Sequence, residues 1–324
     1  MQKKLKILLI RFSSIGDIVL TSSVVRCIKT QINSEVHFIT KNKFRCILEE
    51  NPYIDKIHTV RESISEVDED LKLEKYNLII DLHNNIRSFI LRNKLGVNSI
   101  VYNKESLRKF LYINFGINLI KNSHIEDRYF KKLEKLGVKN DKKGLDYFIS
   151  PNLKVNFDFN KKYIVWCIGA SKENKKLSAI QISNIISKID LDIPVLLLGD
   201  KNDKTLAEQI LSNDNLRNVR SFCGYLNLDE SCFLIKNSEL VLTNDTGLMH
   251  VASAFNKKII SFWGCTKPEL GFYPRIEKNK SIVMLANNNR PCSKHGNSCR
   301  FFENGCVKTI KEEDIISKIK ILLK

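Results

Sequence analysis

Two short polar turns limit the folds open to this chain. The first, Arg11-Phe12-Ser13-Ser14-Ile15-Gly16-Asp17, follows an apolar run at 7–10. The second, Thr243-Asn244-Asp245-Thr246-Gly247-Leu248-Met249-His250, follows an apolar run at 240–242. Each sets glycine, a carboxylate and hydroxyls where a strand hands over to a helix. Open parallel sheets take their ligands at the carboxyl ends of the strands. One such turn near each end of the chain therefore predicts two sheets facing one cleft.

The pattern between the turns agrees. Short apolar runs predict strands over 5–10, 35–40, 56–60, 77–82 and 99–102. Helical patterns lie over 17–31, 43–50, 63–75, 85–94 and 124–136. The alternation breaks at 137–162, which reads as a linker. A second set follows, with strands over 163–168, 194–198, 219–222, 240–243 and 258–262, and helices over 178–189, 204–211, 229–236 and 247–255. Such alternation implies a parallel sheet covered on both faces. Two Rossmann-like α/β domains are expected, 1–155 and 156–324. The amphipathic segment 312–324 carries Ile315, Ile316, Ile319, Leu322 and Leu323 on one face. It is expected to pack back across the domain junction.

Composition excludes several classes. At 324 residues and 43% apolar content, two folded cores are feasible and global disorder is not. No apolar stretch approaches the roughly 18 to 20 residues that span a bilayer. The run at 7–10 stops at Arg11, short of the about 7 to 15 residues of a secretory h-region. A cytoplasmic protein is expected. Nine cysteines, an odd number, argue against a disulfide framework. Cys27, Cys46, Cys167, Cys223, Cys232 and Cys265 read as core thiols. No Walker A sequence occurs and no G-x-G-x-x-G follows a strand, against a P-loop ATPase or a nicotinamide dehydrogenase. The net charge of +17 suits either a lysine-rich solvated surface or attraction to an anionic partner. Basic residues recur in the first half at Lys41, Lys43, Arg45, Arg87, Arg92, Lys94, Lys104, Arg108 and Lys109. No stacking-rich basic motif accompanies them, so nucleic acid is not the expected partner.

Several residues have both a structural and a chemical reading. Asp17 suits the first turn of a helix through the macrodipole. A carboxylate there can also take a proton from an alcohol. Ser13 and Ser14 would hold its turn, and Gly16 admits close backbone approach. The loop 169–177 is either a solvated charged loop or an anion grip. Asp245-Thr246-Gly247 opens a helix, whose N–H groups and dipole favour phosphate oxygens. Asp245 would otherwise serve as an N-cap. His250, three residues after Gly247, is either structural or directed at the same ligand. Around Asp81–Ser88, the Asn and His residues suit a turn, and Arg87 offers a fork for a phosphate or carboxylate. Cys292-x2-His295-x3-Cys299-x6-Cys306 offers four soft ligands in a loop. Its spacing fits no common zinc module. Unligated loop thiols are the reading adopted, with zinc as the alternative and no catalytic metal.

The segments RFSSIGDIVLTSSVVRCIK (11–29), DLHNNIRS (81–88) and NDTGLMHVASAF (244–255) resemble glycosyltransferase family 9, the ADP-heptose:lipopolysaccharide heptosyltransferases. The resemblance runs from about residue 5 to about 275 and keeps the family's motif order. It implies a GT-B fold and an inverting, metal-independent transfer without a cofactor. It implies Asp17 as catalytic base, and Ser171 and Lys175 as the grip on the donor diphosphate, with Lys176 an adjacent alternative. Asp245, Thr246, Gly247 and His250 would line the donor site. Asp200 and Asp203 are secondary candidates for the nucleoside. Ser13 and Arg87 would face the acceptor. Leu177 stands where the family often has an aromatic residue. The implied partners are an ADP-sugar, a phosphorylated lipopolysaccharide core acceptor and the anionic cytoplasmic face of the inner membrane. Rival readings are a family member using a hexose or N-acetylhexosamine donor, and a nucleotide-sugar epimerase of the same fold.

Overall fold

The computed structural model describes residues 4–120, 124–155, 162–189, 193–303 and 305–324. The chain divides into two compact units. Residues 1–104 and 123–150 make the first, and 105–122 with 151–324 the second. The segment 105–122 thus leaves the sequence span assigned to the first domain and groups with the second. The linker expected at 137–162 includes 156–161, which lie outside the described residues.

In the first unit, β1 (Leu5–Ile10) is followed by α1 (Ile15–Val19), α2 (Ser22–Gln31), β2 (Ser34–Lys41), α3 (Cys46–Glu49), β3 (Lys56–Val60), α4 (Asp68–Leu73), β4 (Leu78–Asp81), α5 (Ile86–Leu95) and β5 (Ser99–Val101). The chain then forms α6 (Ser106–Phe115) of the second unit and returns as α7 (Ile125–Leu133). The strands pair in parallel in the order β3-β2-β1-β4-β5. Ile7, Leu8, Leu9 and Ile10 of the central strand are fully buried, as a sheet covered on both faces requires. One helix was expected over 17–31, and two are found. Between them Thr21 donates its hydroxyl to the Ile18 carbonyl at 2.7 Å, a local bond that competes with helix continuation.

The second unit adds β6 (Ile164–Cys167), α8 (Ala179–Lys188), β7 (Val195–Leu198), α9 (Lys204–Leu211), β8 (Val219–Ser221), α10 (Leu228–Asn237), β9 (Leu240–Asn244), α11 (Gly247–Ala254), β10 (Lys258–Trp263), β11 (Ser281–Leu285) and α12 (Glu312–Leu323). Its strands are again parallel, ordered β11-β10-β9-β6-β7-β8. Its core joins Trp166, Phe262, Leu240 and Leu242 with helix residues such as Ile182 and Ile185. Both tryptophans, Trp166 and Trp263, are buried here. The apolar face of α12, expected at the domain junction, is taken up by α8 and β10 of its own unit through Ile315, Ile319 and Leu322. Among the described residues no helix is long and apolar enough to cross a membrane.

Candidate functional site

Strand order marks a candidate site in each unit. In the first sheet the chain builds outward through β2 and β3, then returns to the other side of β1 as β4. The turns after β1 and β4 therefore open at a switch point, where doubly wound sheets take ligands. In the second sheet the same reversal falls between β6 and β9. The turns that carry Lys175 and Asp245 follow those two strands.

At the first switch point, buried Arg11 organises the turn. Its Nη2 lies 2.6 Å from Asp17 Oδ1, and its Nε donates to the Ser13 carbonyl at 2.9 Å. Its Nη1 donates to the Leu82 carbonyl, tying the two turns together, and to the Tyr129 hydroxyl at 3.4 Å. The other oxygen of Asp17, Oδ2, accepts from the Ser14 N–H at 3.1 Å and the Ser14 hydroxyl at 2.8 Å. Burial alone would raise this carboxyl. The Arg11 guanidinium and the Ser14 donors outweigh it and bring Asp17 down to about 2. Asp17 is thus ionised at neutral pH, with its side chain still 23% exposed.

An open groove of about 820 Å³ lies beside this turn, lined by Ser13, Lys41, Ser63, His83, Arg87 and Lys94 among others. It brings together Ser13 and Arg87, which lie far apart in sequence. Arg87 spreads over the Phe12 ring, 5.8 Å from its centroid. Asn85 caps α5 through the Ser88 N–H at 2.9 Å, and so fixes where Arg87 starts. Asp81 accepts from the N–H groups of His83 and Asn84 at 2.9 and 2.7 Å, which shapes the turn. Burial, with Arg11 and Lys104 nearby, pushes the His83 imidazole down to about 3. It is a neutral wall of the groove.

At the second switch point Lys175 Nζ lies 2.6 Å from Asp245 Oδ2 and 3.3 Å from the Asp245 carbonyl. The Thr266 hydroxyl donates to the same Oδ2 at 2.7 Å. Asn244 donates its side-chain amide to the Ile168 and Gly169 carbonyls at 2.9 and 3.2 Å, joining the ends of β9 and β6. Thr246 is the N-cap residue of α11 and makes no side-chain cap bond. The helix therefore presents its first N–H groups without a cap from Thr246, beside Asp245 and Gly247. His250 is buried one turn further in. Ser171 is exposed on the loop after β6.

Lys176, left open as an alternative to Lys175, is committed elsewhere. It is buried against Asp203 Oδ1 at 2.9 Å. Asp203 also accepts from the Asp200 N–H at 2.9 Å and fills the space above Gly169 and Gly199. Asp203, a candidate for the nucleoside, is therefore tied up in this packing.

The cysteine group differs from the expectation. The structure gathers Cys292, Cys299 and Cys306 with Cys265, and His295 is exposed outside the group. Cys265, which the sequence groups with the scattered core thiols, belongs to this cluster. Sequence spacing hides it because Cys265 sits just beyond β10, a strand and two turns before the others. Arg11 and Thr266 likewise join their sites without a signal in the sequence. Arg11 stood in the quoted turn, but nothing in its neighbours revealed a partnership with Asp17.

Comparisons with known proteins give the family and the fold. Residues 64–301 match the model of Glycosyltransferase family 9 (heptosyltransferase). The chain is 26% identical to lipopolysaccharide heptosyltransferase 1 of Campylobacter coli, across 98% of this chain and 99% of that protein. A solved glycosyl transferase family 9 structure from Veillonella parvula DSM 2008 superposes with a TM-score of 0.79 at 21% identity, covering 100% of this chain and 98% of that one. ADP-heptose LPS heptosyltransferase II of E. coli gives 0.73 at 20% identity, with 98% of each chain covered. The fold class is GT-B, as the sequence predicts.

Proposed function

This chain belongs to glycosyltransferase family 9, among the lipopolysaccharide heptosyltransferases, and we propose that it moves a heptose from ADP-heptose to a phosphorylated lipopolysaccharide core acceptor, with inversion and without a catalytic metal. The observation that carries this reading is Lys175. Its ammonium is held by Asp245 at the uncapped start of α11. A diphosphate at that position meets a cation, a hydroxyl and helix N–H groups together. As the glycosidic bond breaks, negative charge grows on the leaving ADP. Lys175, with Ser171 and the N–H groups after Thr246, stabilises it there. Asp245 and Thr266 orient Lys175 before the donor arrives.

The acceptor occupies the first-unit groove, where Lys41, Arg87 and Lys94 suit a phosphorylated sugar and Ser13 meets its hydroxyls. Asp17 takes the acceptor proton. Its carboxylate is a weak base at rest, but the hydroxyl proton becomes strongly acidic as its oxygen bonds to the anomeric carbon. Arg11 keeps Asp17 ionised until that point. Such an acceptor is a glycolipid, so the enzyme works peripherally on the cytoplasmic face of the inner membrane.

The test is transfer from ADP-heptose to a heptose-deficient core acceptor, read by ADP release and product mass. Asp17→Asn is expected to fold with a lowered melting temperature, because buried Arg11 loses its counter-charge, and at temperatures where it stays folded to lose on the order of 10² to 10⁴ in turnover. Near-normal turnover would remove Asp17 from the chemistry. Transfer from UDP-sugars but not ADP-sugars would remove the heptose donor. Donor conversion without acceptor would point to an epimerase.

A further inference from the structure

The four sulfurs of Cys265, Cys292, Cys299 and Cys306 lie within 4.8 Å of one another. Cys292 is 3.8 Å from Cys299 and 3.4 Å from Cys306, and Cys299 is 3.1 Å from Cys306. A disulfide needs about 2.0 Å, and all four cysteines are free. A tetrahedral ion with sulfur ligands at about 2.3 Å sets its sulfurs about 3.8 Å apart. The group is therefore close to the dimensions of a filled tetrathiolate site. We propose that these four cysteines bind one thiophilic divalent metal ion, zinc or iron, in a closed structural site that fastens residues 286–303 and Cys306 to the end of β10.

Three observations support the assignment. First, backbone donors face the sulfurs. The Phe302 N–H lies 3.4 Å from Cys299 Sγ, and the N–H groups of Arg300 and Cys306 serve Cys292 and Cys265. Such donors stabilise thiolates, the form that binds metal. Second, the buried ammonium of Lys267 is close enough to interact electrostatically with Cys292 and Cys306. Four thiolates around a divalent ion leave a net charge of −2, which Lys267 partly balances. Third, among the described residues no helix or strand lies between Leu285 and the 3-10 turn at Cys306. A stretch of that length inside a compact domain needs something other than a backbone ladder to hold it. With all four positions taken by protein, the ion has no open place for substrate, which makes it structural. Tetrahedral S4 ligation suits zinc or iron rather than magnesium or calcium.

The held segment forms a wall of the Lys175 turn. Gly296 lies against the Lys175 side chain, where a Cβ would come within 2.8 Å of Cε. Asn174 donates to the Gly296 and Asn297 carbonyls at 3.5 and 3.3 Å. Arg290 and Arg300, flanking two of the ligands, bind Asn114 at the end of α6. Losing the ion should therefore loosen Lys175. This last consequence rests on the donor reading above, and the metal assignment does not.

The test is metal analysis of the full chain, purified without a metal-binding tag or chelator. We expect about one zinc or one iron per chain, and which element is found separates the two. Stripped protein titrated with cobalt should show the intense sulfur-to-cobalt absorption of a tetrathiolate, a readout that needs no variant. Cys299→Ser should lose the ion, and His295→Ala should keep it. Wild-type protein with no stoichiometric metal and no cobalt–sulfur band, or with the cysteines oxidised in pairs, overturns the proposal, as does retention by Cys299→Ser with loss by His295→Ala. A metal-replete enzyme whose donor KM is unchanged on metal removal would sink only the link to Lys175.

Discussion

Lys175 and Lys176 adjoin in sequence and differ in environment. Lys175 ends a 3-10 turn, and Lys176 follows in extended backbone at φ −95°, ψ 138°. That change of backbone sends one ammonium to Asp245 and the other to buried Asp203. No spacing rule distinguishes two such lysines, because their side chains diverge only once the turn has formed. Lys175→Ala is expected to fold with the smaller stability loss of the two, because the Thr266 hydroxyl still serves Asp245, and to lose about 10² to 10³ in kcat, the worth of one donor to a developing charge. Lys176→Ala strands a buried carboxylate and should cost on the order of 3 kcal/mol of stability. Thermal melts with steady-state kinetics separate the two. Equal kinetic losses with equal melting temperatures would mean that neither lysine has the role given to it. The residue types at Asp17, Asp245 and Arg87 were legible in the sequence, because each sits just past an apolar run. Their contacts with Arg11, Thr266 and Phe12 were not, since those arise only once the turns have formed.

Among the elements, strands were the easiest to read. The expected runs 5–10 and 56–60 coincide with β1 and β3; β1 carries the unbroken apolar stretch of a buried parallel strand, whereas β3 is an edge strand with only His58 and Val60 buried. Two elements escaped. α6 leaves Leu107, Phe110 and Phe115 exposed, so its apolar residues mark no single buried face. β11 is an edge strand with Leu285 half out in solvent. The pairing of β2 with β3 was also invisible, and it has a consequence for acid stability. It brings His37 and His58 to one hydroxyl, Tyr76, at 2.9 and 3.0 Å. Glu35 and Glu74 face His37, and Lys6 and Lys56 face those carboxylates. Burial, with His37 and Lys56 nearby, pushes His58 down to about 4, and burial also lowers His37. Both imidazoles are therefore neutral in the fold, against an ordinary 6.5 when unfolded. Below pH 6.5 the unfolded chain takes up protons that the folded one refuses, so stability falls as pH drops toward about 4. Each fully withheld proton is worth up to roughly 1.4 kcal/mol per pH unit. Hydrogen exchange of the β2 and β3 amides, corrected for intrinsic rates, should lose protection between pH 7 and 5. Constant protection would contradict the neutral pair.

For the whole molecule, the net charge of +17 combines with an apolar surface the sequence did not announce. Leu107, Phe110, Phe115, Ile117 and Leu119 are each at least half exposed along and just after α6, with Arg108 among them. Apolar insertion plus basic attraction are the two signals that hold a protein on an anionic leaflet. The chain is expected to sediment with vesicles rich in anionic lipid at low salt and to release as salt shortens the Debye length. Phe110→Ser should weaken sedimentation. Equal binding to neutral vesicles, or none to either kind, would contradict peripheral attachment.

The placement of Trp166 and Trp263 gives the molecule a built-in optical asymmetry. Selective indole excitation illuminates the carboxy-terminal half alone, while the amino-terminal half is visible only through tyrosine absorbance and amide signals. Trp263 is also separated from Cys265 by Gly264 only. Quenching or a colour shift of its emission would give a spectroscopist a running record of events at the sulfur cluster while the other half stays dark.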